Sequence, residues 1–372
     1  MYRNTWMEID LDALYENIER IRKKCGKRLI AVVKAGGYGC GDLAVAKTAI
    51  KAGAKMLAVS SVDEALILRN KGYDGKLLIL GHSDPEDVSV MVKEKISAPA
   101  YSLNWVRRII EQNCRGLHVH IKVDTGMNRI GFREIGEIRQ AMRILEANHC
   151  VIEGIFTHFA CADTSPEKTE MQFQRFHDMV SALDYPFKWI HCDNSDAAVS
   201  LDEKFTNAFR LGISMYGISS YMKDLNYPIS LYSRIFLVKK VPAGESIGYG
   251  ATYTTKEEEW IGTMPIGYAD GFIRQNQNRM VYCCGEYVPI AGRICMDQTM
   301  LRLPYQMKEG TEVEIFGPHI NIETMAKDLN TIPYEILCLI SDRVTRVYKR
   351  NGQVVAETNG RITESLNWQN IG

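Results

Sequence analysis

Basic side chains stand where apolar, β-branched runs of this sequence end. They are Lys34 after "LIAVV", Lys122 and Arg129 in "IKVDTGMNR", His158 after "GIFT", His191 after "KWI" and Arg210 in "AFRLG". An uncharged lysine amine can attack an aldehyde to form an imine, while arginine and histidine can contact an aromatic ring or an anion. Polar and small residues follow the last two runs, at Asn194, Ser195 and Gly212. Bare backbone and hydroxyls at such positions can bind a phosphate.

The elements that must position these side chains alternate between strand-like and helix-like segments. About eight such units recur up to residue 226, each an apolar run followed by an amphipathic segment such as "VDEALILRNKG". Near-continuous apolar strands alternating with helices predict a parallel sheet covered on both faces. Eight units in this length favour a closed (β/α)8 TIM barrel, an α/β fold, over an open doubly wound sheet. The fourth strand, "ISAPAYS", is the least regular because it contains Pro99.

The sequence pattern changes after the barrel units, from alternating strands and helices to short strands. Short strands with glycine turns and interspersed prolines, as in "RMVYCCGEYVPIAGRICMDQTMLRLP", predict a mainly-β C-terminal domain over residues 227–372, with the barrel over 1–226. The first eight or so residues have strand alternation and are expected to pair with the β domain.

Composition excludes several classes of function. The 372 residues are 46% hydrophobic and 24% charged, with zero net charge, so bulk charge gives no attraction to nucleic acid. No apolar run approaches the roughly 18 residues that span a bilayer, and the start resembles no signal peptide, so a cytoplasmic location is expected unless a membrane domain has been removed. The 10 cysteines form no CxxC pair, and no metal site is expected.

The basic residues have a coherent chemistry if the barrel forms. Catalytic groups of such barrels gather at the carboxyl ends of the strands, and phosphates bind after strands seven and eight. An imine-forming lysine, ring-contacting histidine and arginine, and a phosphate site together make a pyridoxal phosphate site. Each residue alone also has an ordinary structural role, as a solvated strand-end lysine or a core histidine. Residue types therefore leave both interpretations open.

Eight motifs in order resemble the alanine racemase family of fold-type III pyridoxal phosphate enzymes. They are "AVVKAGGYGCGD", "KVDTGMNRIGFR", "GIFTHFACAD", "HCDNSDAA", "RLGISMYG", "IGYGATYTT", "MPIGYADGF" and "GRICMDQTM". The resemblance extends from "TWMEIDLDAL" to "ISDRVTRVY". It implies a homodimeric racemase that interconverts L- and D-enantiomers of alanine, serine or both, and so supplies D-amino acids for cell-wall precursors.

The resemblance assigns two bases and three residues around the cofactor ring. Lys34 matches the lysine that binds pyridoxal 5′-phosphate covalently and acts as a base on one face of the substrate. Tyr249 matches the second base, which in the family completes the site of the partner protomer. Arg210 matches the arginine that faces the pyridine nitrogen, with His191 as its orienter, and His158 matches a residue packed near the ring.

The remaining site residues follow from the same motifs. Tyr38, Ser195, Gly212 and Ile213 are expected to bind the phosphate, with Asn194 nearby. Arg129 matches an arginine beside the cofactor's phenolic oxygen and the substrate carboxylate, and Lys122 matches a lysine that is carbamylated in much of the family. The residues expected to contact substrate from the β domain are Tyr268, Met296, Asp297 and Asp342. Those expected at the substrate entrance are Asp163, Arg274, Arg293 and Ile340.

Two departures from the family pattern bear on the substrate. Gly36 and Gly37 replace an asparagine and an alanine beside the cofactor lysine, and Asp342 replaces a tyrosine that touches the phosphate and narrows the pocket. Losing the ring opens space, and a carboxylate adds a hydrogen-bond acceptor, so the pattern favours serine as a substrate beside alanine. The racemase domains of membrane-bound serine racemases also lack this tyrosine. Alternatives are a broader racemase acting on lysine or ornithine, a non-catalytic pyridoxal phosphate-binding protein, and a fold-type III decarboxylase.

Overall fold

The chain folds into a closed barrel and a β-rich domain in a computed structural model, which describes residues 2–360. It begins with β1 (Thr5–Asp10) and continues into the barrel, so the predicted TIM barrel is confirmed. The eight barrel strands, in spatial order, are β2 (Arg28–Val32), β3 (Met56–Val59), β4 (Leu77–Ile79), β5 (Ile96–Ala100), β6 (His118–Lys122), β7 (Val151–Phe156), β8 (Trp189–His191) and β9 (Ala208–Leu211).

Buried parallel pairing closes the barrel. Every residue of β3, β4 and β9 is buried, as expected of strands that are covered on both faces. β9 lies beside β2 with Leu29 opposite Phe209, which completes the ring of strands. β5 keeps its place despite Pro99, which lies opposite His120 of β6.

Helices cover the barrel, and local sequence signals explain where they begin and end. Asp10 accepts hydrogen bonds from the first backbone N–H groups of the first helix, and Gly26 ends that helix with φ 72°. Ser61 and Ser165 cap later helices in the same way. The helices are α1 (Leu11–Cys25), α2 (Lys34–Tyr38), α3 (Asp42–Lys51), α4 (Val62–Asn70), α5 (Val88–Lys93), α6 (Leu103–Ile110), α7 (Ile135–Ala147), α8 (Pro166–Leu183) and α9 (Ala197–Ser200).

The second domain is a seven-stranded sheet with two smaller sheets. Its strands are β10 (Ile229–Arg234), β11 (Leu237–Val241), β12 (Ser246–Ile247), β13 (Tyr253–Thr254), β14 (Glu259–Met264), β15 (Met280–Cys283), β16 (Glu286–Pro289), β17 (Thr299–Leu303), β18 (Glu312–Phe316), β19 (Thr345–Arg350) and β20 (Gln353–Thr358), with helices α10 (Ile322–Asp328) and α11 (Pro333–Leu339). The large sheet runs β16-β15-β18-β10-β1-β19-β20, so the N-terminal strand β1 lies inside it. β1 pairs antiparallel with β10 and parallel with β19.

The β domain packs against the barrel beside the turn that carries Lys34. A Cβ added at Gly39 would collide with the carbonyl oxygen of Leu337, so the turn and the end of α11 touch backbone to backbone. Between residues 2 and 360, no helix combines the length and the apolar character that a membrane span requires. The thiols of the ten cysteines are free.

Candidate active site

Lys34 stands at the carboxyl end of β2, at the start of a left-handed turn. The φ angles of Ala35, Gly36, Gly37 and Tyr38 are 53°, 61°, 63° and 57°, a region where a side chain costs energy and glycine does not. The two glycines therefore adopt this left-handed conformation with less strain than the asparagine and alanine that are usual in the family. The turn brings Lys34 to the mouth of the barrel.

The carboxylate of Glu64, in the next β–α unit of the barrel, binds the turn that carries Lys34. Glu64 of α4 accepts a hydrogen bond from the backbone N–H of Ala35 at 2.7 Å and further bonds from the N–H and hydroxyl of Ser60 at 2.8 and 2.9 Å. Desolvation of the ammonium and, next, the positive charge of Arg129 lower the pKa of Lys34. A larger fraction of the amine is then uncharged at neutral pH, which imine formation requires.

Three groups converge beside Lys34 to form a cradle. The backbone N–H of Gly212 donates to Oγ of Ser195 at 3.0 Å, and a Cβ added at Gly212 would collide with the hydroxyl of Tyr38. Ile213 follows at the start of a one-turn 3₁₀ helix. Asn194 instead shapes the next turn, because its Oδ1 accepts from the N–H of Ala197 at 3.0 Å. Hydroxyls and backbone N–H groups facing one small space suit a phosphate.

Arg210 is the centre of a buried hydrogen-bond cluster. Its terminal nitrogens donate to the carbonyl oxygens of Thr157, Cys192 and His191 at 2.8, 2.8 and 3.1 Å. They also donate to Nδ1 of His191 at 2.8 Å and Nδ1 of His158 at 3.1 Å. Its Nε makes no hydrogen bond to any residue between 2 and 360. That Nε–H can therefore donate to a ring nitrogen of a bound cofactor.

Burial fixes the charges in this cluster. It lowers the pKa of Arg210 to about 10, so the guanidinium keeps its proton at neutral pH. Burial, followed by the Arg210 charge, lowers the pKa of His158 and of His191 well below the ordinary value, so both imidazoles are neutral. The ring of His191 stacks on Phe156, with centroids 4.9 Å apart.

Lys122 is a buried lysine at the end of β6. Its ammonium donates to the carbonyl oxygen of Val123 at 2.7 Å and lies 5.5 Å from the ring centroid of Phe156. Burial, then the charges of Arg210 and Arg129, lower its pKa to about 7. Arg129 is exposed at the same mouth. At pH 7 about half of such a lysine is neutral, and the neutral amine can react with carbon dioxide.

Tyr249, the second base predicted from the β domain, lies on an exposed surface of that domain. Tyr249 is 70% exposed and lines a separate groove of about 670 Å³ with Phe236, Leu237, Cys295 and Met300. It makes no hydrogen bond or ring contact with a barrel residue in the described part of the chain. Within the described part of one chain, the structure therefore shows no such contact between Tyr249 and Lys34.

Tyr268 and Met296 meet on the same face of the β domain. The N–H of Tyr268 donates to the carbonyl of Cys295, and both Tyr268 and Met296 are about half exposed, at 42% and 53%. Asp297 accepts a hydrogen bond from Arg343 at 2.6 Å. Of the expected entrance residues, Arg293 adjoins Gly250, where a Cβ would contact its guanidinium.

Asp342 and Gly36 line the same cavity. This cavity, of about 420 Å³, lies between the Lys34 turn and the β domain, and Cys338 and Ile340 also line it. Arg343, a candidate cation for Asp342, binds Asp297 and approaches Asp270 within 3.5 Å. Burial lowers the pKa of Arg346, and the negative charge of Asp342 offsets a small part of this effect. The two departures from the family pattern thus meet in one place.

The fit of these residues to pyridoxal phosphate can be judged from the geometry. A cradle of hydroxyls and backbone N–H groups, an arginine with a spare Nε–H and a lysine of lowered pKa lie at carboxyl ends of barrel strands, and each matches one part of that cofactor. Predictions from sequence missed Glu64, which holds the turn, and two buried residues behind Arg210, His120 and Glu153. Their signal was polar residues inside apolar strands, in "LHVHIKVD" and "VIEGIF".

Comparisons with known proteins agree over nearly the whole chain. Residues 9–220 match the family model "Alanine racemase, N-terminal domain", and residues 228–348 match "Alanine racemase, C-terminal domain". An alanine racemase of Halalkalibacterium halodurans is 43% identical, over 97% of this chain and 99% of its own. Alanine racemase 1 of Bacillus subtilis is 41% identical, over 96% of each chain. The crystal structure of an alanine racemase from Bacillus anthracis with bound L-Ala-P matches with a TM-score of 0.93, at 38% identity, over 96% of this chain and 98% of that one.

Proposed function

The chain belongs to the alanine racemase family, whose reaction is the pyridoxal phosphate-dependent racemisation of alanine, and we propose which of its residues carry that reaction. The observation that supports the proposal is the convergence, at one barrel mouth, of Lys34, the phosphate cradle and the Arg210 cluster. The relatives described above are alanine racemases, so the lysine or ornithine racemase and the non-catalytic protein find no support. The division into a barrel domain, 1–226, and a β domain, 227–372, belongs to the proposal, supported by the two family models on either side of it.

Bound pyridoxal phosphate supplies an electron sink that weakens the Cα–H bond of an attached amino acid. Lys34 holds the cofactor and, once its amine is free, takes or returns the Cα proton on one face. Its lowered pKa favours this base role. Tyr38, Ser195, and the backbone of Gly212 and Ile213 bind the phosphate.

Arg210 orients the cofactor ring without protonating it. A guanidinium with a pKa of about 10 keeps its proton in preference to a pyridine nitrogen. Arg210 would therefore leave the ring nitrogen of a bound cofactor neutral, which would make that ring a moderate electron sink. His191 and His158 hold the guanidinium through their neutral Nδ1 atoms.

Tyr249 serves the opposite face of a second copy's site. Its 70% exposure, in a groove lined by β-domain residues, supports a homodimer in which each β domain completes the partner's site. Tyr268, Met296 and Asp297, exposed on the same domain, would then contact the partner's substrate.

Lys122 carries a carbamate that orients Arg129 toward the substrate carboxylate. The pKa of about 7 supports this assignment, because only a neutral amine adds carbon dioxide. Asp342 widens the substrate pocket and accepts a hydrogen bond from serine, so the enzyme racemises serine beside alanine. The cavity shared by Asp342 and Gly36 supports this substrate range.

Replacing Lys34 tests the proposal. The purified protein is incubated with pyridoxal phosphate, freed of excess cofactor and assayed for D-alanine formation from L-alanine. In one sample, we expect borohydride reduction to fix the cofactor covalently to the wild type. In a second, unreduced sample, we expect the wild type to form D-alanine. Lys34→Ala should do neither. A Lys34→Ala variant that racemises at the wild-type rate would overturn the assignment. The exposed lysine Lys51 provides the matched control, Lys51→Ala.

A further inference from the structure

A chain of buried polar side chains runs from the bottom of the barrel to Arg210. It begins at Glu153 of β7, passes His120 of β6 and His191 of β8, and ends at the guanidinium. Nδ1 of His120 lies 3.0 Å from Nε2 of His191. Nε2 of His120 makes no hydrogen bond within the described residues, and the nearest acceptor, Oε1 of Glu153, lies 3.5 Å away at ion-pair distance. His120 and His191 are 0% exposed and Glu153 is 5% exposed. The proposed function uses neither His120 nor Glu153.

The position of each imidazole proton in this series of side chains follows from Arg210. A guanidinium only donates, so Nδ1 of His191 must accept, and the proton of the neutral ring lies on Nε2. Nε2–H of His191 can then only donate to Nδ1 of His120. The proton of His120 in turn lies on Nε2, directed at the carboxylate of Glu153. Any other tautomer would place two N–H groups, or two lone pairs, against each other in a dry interior.

The groups around Glu153, the first member of this series of buried side chains, keep its carboxylate ionised. It accepts from Ser97 at 2.8 Å and Lys76 at 2.9 Å, and His118 lies 3.3 Å away. Burial raises the pKa of Glu153, but the nearby imidazoles of His118 and His120 and the ammonium of Lys76 lower it more, so the net shift is downward. The barrel also makes room for the chain, because a Cβ added at Gly154 would collide with the ring of His120.

We propose that Glu153 and His120 are positioning residues, which fix the tautomer of His191 and thereby hold Arg210 for the cofactor ring. This inference rests on the proposed function, because it assigns to Arg210 its place opposite the ring. The carboxylate polarises the two imidazoles in series, so Nδ1 of His191 becomes a stronger acceptor for the guanidinium. Loss of the carboxylate weakens that acceptor and loosens Arg210 without touching the substrate site.

Two measurements test the chain. In the wild-type holoenzyme labelled with ¹⁵N-histidine, long-range ¹H–¹⁵N spectra should show His120 and His191 protonated on Nε2 and not on Nδ1. In Glu153→Gln, we expect kcat for alanine to fall about threefold to tenfold with KM within about twofold, and the Kd for pyridoxal phosphate to rise by a similar factor. His120→Asn, which keeps an acceptor for His191 but loses the link to Glu153, should behave likewise.

Lys76→Gln is the matched control, because it removes the ion pair to Glu153 but leaves the Glu153 carboxylate, His120 and His191 in place. It should keep kcat and the cofactor Kd within about twofold of wild type. A His191 protonated on Nδ1 overturns the inference, as do Glu153→Gln and His120→Asn variants that both match Lys76→Gln. If Glu153→Gln does not fold, His120→Asn and the wild-type spectra decide. A wild type without racemase activity would instead contradict the proposed function.

Discussion

Arg346 donates from Nε to the carbonyl oxygen of Gly39 over 2.9 Å, and this bond ties the β domain to the turn that carries Lys34. The other guanidinium nitrogens donate to carbonyls of the loop between α11 and β19, including those of Ile340 and Val344 at 2.7 Å each. One buried side chain therefore fixes both the Lys34 turn and the loop that carries Asp342. The shape of the cavity between them depends on it.

Arg346→Lys should destabilise the protein by about 2–3 kcal/mol, because a lysine cannot satisfy the carbonyls that the planar guanidinium binds. We also expect a raised KM for alanine, since the Asp342 loop loses its anchor. Thermal unfolding and steady-state kinetics measure both effects. Arg234→Lys, on β10 with an exposed 3.5 Å ion pair to Glu312, should cost no more than about 0.5 kcal/mol. Equal effects of the two substitutions would contradict the anchoring role.

Much of the barrel mouth could be predicted from the sequence because local rules position it. Lys34, Lys122, His191 and Arg210 each end an apolar strand, and parallel strands of a barrel end on one face. Hydrophobic runs predict the strands, and the alternation of runs and helices predicts closure. Nothing beyond sequence position and strand direction was needed to bring these side chains together.

Other parts of the site depend on contacts that sequence spacing does not encode. Arginine is mostly a surface residue, yet Arg346 is 8% exposed, because its guanidinium binds the carbonyl oxygen of Gly39 in the Lys34 turn. His120 and Glu153 are polar residues inside apolar runs, and only the barrel geometry places them in series. The role proposed for Tyr249 requires a second copy of the chain, so the fold of one chain does not reveal it.

Gly36→Ala should cost about 1 kcal/mol of stability, because φ 61° is unfavourable for alanine although no atom lies within 4 Å of the added Cβ. Gly36→Asn should cost less, since asparagine tolerates this conformation. Gly116→Ala is the matched control, with φ 83° and the same open space far from the barrel mouth. We expect similar losses of stability in the two alanine variants, but a lowered kcat only in Gly36→Ala. Unchanged kcat in that variant would show that the turn does not position Lys34.

The buried amine of Lys122 should make stability depend on pH. Its pKa is about 7 when folded and about 10.4 when unfolded, so between these values the unfolded chain holds a proton that the folded chain has released. The free energy of unfolding then rises with pH in that window, by up to about 1.4 kcal/mol per pH unit, and this contribution is lost as the pH falls toward 7. In buffers free of carbon dioxide, the stability of wild type relative to Lys122→Met should therefore increase from pH 7 to 10.

Lys51→Met, at an exposed site on α3, should show no such trend relative to wild type. Added bicarbonate at pH 8 should stabilise the wild type but not Lys122→Met, because only the former can form a carbamate. A pH-independent difference between wild type and Lys122→Met would contradict the lowered pKa.

A mixed dimer tests whether Lys34 and Tyr249 of one site come from different chains. Lys34→Ala and Tyr249→Phe homodimers should both be impaired. In a hybrid dimer of the two variants, one site carries both substitutions and the other carries neither. We expect about half of the wild-type activity from the purified hybrid. A hybrid no more active than its parents would place both bases in one chain, and Tyr253→Phe, elsewhere in the β domain, controls for loss of a tyrosine hydroxyl.

Asp342 should set the choice between alanine and serine. A tyrosine at this position would fill part of the 420 Å³ cavity and remove the carboxylate, so Asp342→Tyr should lower kcat/KM for L-serine relative to L-alanine by about tenfold or more. Asp342→Asn separates the two causes, because it keeps the space and removes only the charge. If the asparagine variant keeps the wild-type ratio, space governs the selection of serine; if its ratio falls toward that of the tyrosine variant, the acceptor governs it.

L-lysine, assayed in parallel, should remain a poor substrate of the wild type and of both Asp342 variants. A serine-to-alanine ratio that Asp342→Tyr leaves unchanged would show that this carboxylate takes no part in substrate selection.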